Sequence, residues 1–217
     1  MHNGATRVSS WVIWITLLLL PRDIYSQSLP VELMAGHKRM AIDVLWFRNF
    51  AANKETRSPW LFFHRTRASS DYHNQTSFGV TNALSYNFKS GLGLVATIQL
   101  SQTGTSIKGG IQYAKQFKQG TVFSWLVAGN NTVHYFSTDW FVLLRWVPAI
   151  NERWKFYTQF ELLSSVDRMS NKNFVQRIRL GPAIGKWQWG IAADFNETGN
   201  SKLSYSDNIG LFVRREF

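Results

Sequence analysis

Most of the chain alternates between apolar and polar positions with a period of two. Phe78, Val80, Leu84, Tyr86 and Phe88 share one parity, while Ser77, Gly79, Thr81, Ala83, Ser85 and Asn87 hold the other. The pattern returns with Leu92, Leu94, Ala96, Ile98 and Leu100 against Gly93, Thr97, Gln99 and Ser101, then with Ile107, Ile111, Tyr113 and Phe117 against Ser106, Lys108, Gln112 and Gln116. Trp187, Trp189, Ile191, Ala193 and Phe195 oppose Gln188, Gly190, Ala192 and Asp194 in the same way. Successive side chains of a strand point to opposite faces, so each segment predicts a strand with one greasy face and one small or polar face. Working back from the C-terminus, strands are predicted near 205–217, 187–197, 174–184, 154–165, 139–147, 120–129, 105–117, 92–101, 76–88, 60–68 and 40–50. Val31 to Ala35, before a turn at Gly36, His37 and Lys38, supplies a twelfth. The expected fold is all-β: a closed antiparallel transmembrane β-barrel of 12 strands, with 10 as the alternative if two weaker segments do not span.

A soluble sandwich or lipocalin-like barrel would alternate too, and the bulk of the greasy face separates the two cases. In a soluble barrel that face turns inward and must fit a limited volume. Here it is crowded with aromatics at strand ends: Trp140 and Trp146 bracket one strand, Trp154 and Phe156 open the next, and Trp187 and Phe195 bracket another. Two aromatic girdles around a lipid-facing band are therefore predicted, with the polar face inside. The segments also match the roughly 9–11 residues that a tilted transmembrane strand needs. Links at Gly185 and Lys186, Lys118 and Gln119, Lys89 to Gly91, and Pro148 to Arg153 are short, whereas Val166 to Asn173 and Asn130 to Thr138 are longer. That alternation predicts tight periplasmic turns and longer external loops, with Gln102 to Gly104 and Ala51 to Pro59 as exceptions.

Residues 1–26 stand apart. A polar start carrying His2 and Arg7 runs into Trp11 to Leu20, ten residues with only Thr16 polar, and Pro21 ends the run. That length suits the apolar segment of a secretory signal peptide and falls short of the roughly 20 residues of a spanning helix. The domain division is thus a signal peptide, 1–26, and one barrel domain, 27–217. The chain has no cysteine, which excludes disulfides, thiolate metal sites and a cysteine nucleophile. Its formal charge of +11 is scattered rather than clustered, and with 10 Trp, 7 Tyr and 16 Phe it does not read as a nucleic-acid-binding module.

The tail from Gly210 to Phe217, GLFVRREF, resembles the C-terminal strand of bacterial outer-membrane proteins, which the barrel-assembly machinery recognises. Together with LFFHRTRAS (Leu61 to Ser69) and VQRIRLG (Val175 to Gly181), it is similar to an uncharacterised family of small gram-negative outer-membrane β-barrel proteins. The resemblance implies a bacterial outer-membrane location, with outer-membrane lipids and lipopolysaccharide as surroundings and the assembly machinery as a partner through the strand ending at Phe217. It brings no activity, catalytic residue or cofactor.

Chemistry would sit on the polar face. By parity, Arg65, Arg67, Lys108, Arg145, Lys155, Arg177 and Arg179 point into the lumen, and Asp43, Glu161 and Asp194 supply the acids. Such an interior favours anions, because a guanidinium binds carboxylate or phosphate in two-point fashion. Equally, arginine and acid pairs can brace a narrow closed barrel whose buried charges must be matched. The competing class is an outer-membrane lipid-modifying enzyme or protease, with His73 and Asp71, or His134 and Asp139, as a loop site. No G-x-S-x-G or H-E-x-x-H motif accompanies them, and no two His stand at metal-ligand spacing. No catalytic, cofactor-binding or metal residue is assigned. Sequons at Asn74, Asn130 and Asn196 mark exposed turns.

Overall fold

The computed structural model describes residues 29–51, 57–102, 104–132 and 136–217. The expected signal peptide and His134 lie outside them. Twelve strands follow in chain order: β1 (Pro30–Gly36), β2 (Arg39–Ala51), β3 (Arg57–Asp71), β4 (Thr76–Asn87), β5 (Leu92–Ser101), β6 (Gly104–Phe117), β7 (Gly120–Asn131), β8 (Phe136–Trp146), β9 (Trp154–Asp167), β10 (Lys172–Ile184), β11 (Trp187–Gly199) and β12 (Leu203–Glu216). Each pairs antiparallel with its sequence neighbours, and β1 pairs with both β2 and β12, so the sheet closes on itself. Closure leaves no unpaired strand edge, the condition a sheet must meet in hydrocarbon, where no water satisfies backbone groups.

The greasy parity faces outward. Leu84, Leu94, Ile98, Ile107, Ile111, Ile191 and Leu211 are all exposed along the band. Trp60, Tyr86, Phe88, Trp146, Trp154 and Trp187 ring the end that holds both termini, and Tyr72, Phe78, Phe136 and Tyr205 ring the other. These are the girdles expected at the two interfaces of a spanning barrel.

The expected contrast in link lengths is not seen. Phe136 already belongs to β8, Asp167 to β9 and Lys172 to β10, so the links at the loop end shrink to 132–135 and 168–171. The longer link, 147–153, is at the termini end. Strand pairing continues beyond the greasy band because polar segments such as 172–174 still find ladder partners in Val166 to Ser164.

Closure depends on the shortest strand. The side chain of Asn208 on β12 is fully buried beside Gly36, accepts from the backbone N–H groups of Lys38 (3.0 Å) and Arg39 (3.1 Å), and donates to the Arg39 carbonyl (3.1 Å). A Cβ on Gly36 would lie 2.3 Å from the Asn208 amide oxygen. Asn208→Ala is expected to cost about 2 kcal/mol by orphaning those donors, and Gly36→Ala to be worse because the amide has nowhere to go. The readout is the temperature at which the folded gel band converts to the unfolded one. An unchanged temperature for both variants would show that Asn208 does not hold the closing hairpin.

Candidate functional site: the barrel interior

The inward parity is not uniformly polar. On β2 to β8 it carries Leu45, Leu61, Phe63, Phe123, Trp125, Phe141 and Leu143, all buried in one cluster. Phe63 and Phe123 stack with ring planes 4° apart, and Trp125 meets Phe63 edge-on at 4.9 Å between ring centres. A smaller cluster of Met34, Ala41, Tyr157, Ala183, Ala192 and Phe212 fills the side made by β1, β2 and β9 to β12. The expectation of a polar interior is corrected here: on β7 and β8 both parities are large and apolar, so alternation could not tell inside from outside.

A seam of charge lies beside these clusters. Glu161 on β9 accepts from Arg65 on β3 at 2.7 Å, and these strands stand six places apart in the ring, so the pair spans the barrel. Arg177 donates to the same Glu161 oxygen at 3.2 Å. Asp43 binds both Arg65 and Arg67, the latter at 2.9 Å. Asp194 takes Arg67 at 2.5 Å and Arg179 at 2.7 Å, and Arg179 reaches Glu32 at 2.7 Å. Lys108 forms a separate pair with Asp139 at 2.7 Å, and that carboxylate also accepts from Gln99 and Ser165.

Toward the termini end the seam passes through Gln159. Its amide nitrogen donates to Glu161 at 2.7 Å. Its oxygen accepts from Arg145 Nε at 2.9 Å and from the Tyr157 hydroxyl at 2.6 Å, with Arg214 Nη1 at 3.4 Å. Beyond Arg145 a cavity of about 1010 Å³ opens at the termini end, bordered by Asn49, Asn87, Lys115, Phe123 and Glu216.

Of the residues that parity places inward, Arg65, Arg67, Lys108, Arg145, Glu161, Arg177, Arg179 and Asp194 all sit in this interior, seven of them in the seam or its Gln159 extension and Lys108 in its own pair. Lys155 keeps the inward register opposite Ala183 but stands exposed at the rim, past the packed interior. Three members were missed. Glu32 lies on β1, whose seven residues are too few for a firm alternation, and Arg214 sits in the tail, where its parity against Val213 could have revealed it. Asp139 was expected at the outer rim, opening the strand 139–147 as the partner of a loop histidine; it is buried within β8 because pairing starts at Phe136.

Asp139 is thus a buried member of β8 rather than a loop residue. Asp71 spends one carboxylate oxygen on the backbone N–H groups of His73 (2.9 Å) and Gln75 (2.8 Å), closing its own turn. Among the described residues no three His, Asp or Glu side chains gather as a metal site.

Comparison with protein-family models and with curated proteins finds no match. Among solved structures, the NanC porin is similar over 88% of this chain and 98% of its own, at 9% identity and a TM-score of 0.52. The KdgM porin aligns over 88% of this chain and 99% of its own, at 10% identity and a TM-score of 0.48. At such identity the likeness to NanC is one of fold, and it agrees with the closed barrel.

Proposed function

We propose that this chain is an integral β-barrel of the bacterial outer membrane whose charged seam forms a narrow path for small polar or anionic solutes. Residues 1–26 serve as its export signal in this reading. The strand ending at Phe217 serves its assembly, and the similarity of its segments to an uncharacterised family of small outer-membrane barrels fits the same setting.

One observation carries the reading: the seam exists beside two apolar clusters. Burying paired charges is no more stabilising than burying apolar groups of the same volume. This chain fills much of its interior with Phe, Trp and Leu, yet keeps Arg65, Arg67, Arg145, Arg177, Arg179 and Arg214 with Glu32, Asp43, Glu161 and Asp194 in the remainder. Two more bases than acids line that seam, which makes it favour anions. Because Arg65 and Glu161 meet across the barrel, passage requires Arg65 and Arg177 to swing off that carboxylate, so conductance is small and intermittent.

Planar-bilayer recording of the refolded chain tests this. Brief, small openings preferring chloride over potassium are expected. Arg177→Gln should weaken that preference, since Arg177 holds Glu161 at 3.2 Å and Asp194 only at 4.0 Å, and its side chain is less buried than that of Arg179. Arg179→Gln should instead reduce the folded fraction, because Arg179 is 2% exposed and held by both Glu32 and Asp194. Absence of conductance, or cation selectivity, would overturn the path.

A further inference from the structure

We propose that Arg145 and Arg214 form a binding site for one compact oxyanion, the carboxylate or phosphate end of a small solute that enters through the termini-end cavity. The inference rests on the anion reading of the interior but needs no passage across it. Both guanidinium groups converge on the single oxygen of Gln159, at 2.9 Å and 3.4 Å, so two buried cations stand beside one neutral acceptor. Arg214 is 2% exposed. Its Nη1 donates to the Tyr157 hydroxyl at 2.9 Å, while its Nε and Nη2, like Arg145 Nη2, find no hydrogen-bond partner among the described residues.

The pattern of the vacant donors matters. Nε and Nη2 form one edge of the guanidinium, the edge that grips a carboxylate or phosphate with two parallel bonds. Of the nearby acids, Glu161 serves Arg65, Arg177 and Gln159, and Glu32 serves Arg179, while Glu216 at the border of the same cavity lies near enough to both guanidinium groups to offset part of their charge. Buried donors left unfilled are costly, and two cations side by side repel each other more than one nearby carboxylate can balance. An arriving oxyanion relieves both costs, filling the Arg214 edge and the free Arg145 nitrogen together. Arg145 lines the cavity and Arg214 does not, so an anion arriving from that end meets Arg145 first, and Tyr157, packed under Arg214 at 5.5 Å from the guanidinium carbon to the ring centre, fixes the orientation of the fork.

The test uses the full folded barrel in detergent at low ionic strength, titrated calorimetrically with inorganic phosphate and, separately, with acetate. One saturable site for at least one of them is expected, and which of the two binds tells phosphate from carboxylate recognition. Arg145→Gln and Arg214→Gln should each weaken binding at least tenfold, and Arg214→Lys should do the same because it keeps the charge and loses the fork. Arg153→Gln, on the exposed link at the same end, should change nothing. The anion should also raise the unfolding temperature of the wild-type barrel and leave that of the double Gln variant unmoved. No saturable binding by the folded wild type, or unchanged affinity in the double variant, would overturn the site. A barrel that binds without conducting keeps the site and loses the path, and one that conducts without binding does the reverse.

Discussion

Glu161→Ala is expected to destabilise the barrel by about 3–5 kcal/mol, the cost of removing one partner from a buried ion pair and stranding the other. Its carboxylate is 3% exposed and holds Arg65 and Arg177 on one oxygen and Gln159 on the other. Arg65 keeps Asp43 as a second partner, whereas Arg177 retains only a 4.0 Å contact with Asp194. Glu161→Gln should cost less, since the amide oxygen still accepts one hydrogen bond. Urea unfolding in detergent micelles, followed by tryptophan fluorescence, reads the difference. Equal stability of wild type and both variants would mean that water, rather than Glu161, balances the seam.

Phe123→Ala should be comparably severe for a different reason. Phe123 is 1% exposed and touches Phe47, Phe63, Trp125 and Phe141, with ring centres 4.9 to 6.1 Å away. Truncating a buried phenylalanine typically costs about 3–5 kcal/mol, since neighbours relax only partly into the void. Phe123 also borders the termini-end cavity, so the new space joins that opening. The same unfolding experiment should show the loss, and any current through the variant should exceed that of the wild type. Phe78→Ala, on the outward face with 47% exposure, is the control and should leave stability nearly unchanged in detergent. Similar losses for Phe78 and Phe123 would contradict the assignment of inside and outside.

The barrel was legible in the sequence wherever the two faces of a strand differ in bulk. In β5 and β6, Leu94, Ile98, Ile107 and Ile111 stand against Gly93, Thr97, Lys108 and Gln112, and parity alone orients them. In β7 and β8 it does not, because Phe123, Trp125 and Phe141 inside face the same kind of residue as Leu126, Trp140 and Leu144 outside. The apolar clusters were therefore invisible until closure fixed the inner surface. Arginines on β3 and β10 were found by parity, but their pairing was not, since Arg65 and Glu161 are 96 residues apart and meet only through the ring. The excess pair, Arg145 and Arg214, was hidden for the same reason: it depends on which acids are already taken.

In the proposed path, water and small anions reach the charged seam and not the apolar clusters beside it. Because the chain has no cysteine, single cysteines report on this without background. Thr81→Cys, opposite Arg65 in the β3–β4 register, should be labelled by a membrane-impermeant anionic thiol reagent, and faster than by a cationic one of the same size. Val127→Cys and Leu143→Cys, at positions 1% and 0% exposed, should stay unlabelled by either reagent. Equal labelling at all three positions, or a faster reaction of Thr81→Cys with the cationic reagent, would contradict the claim.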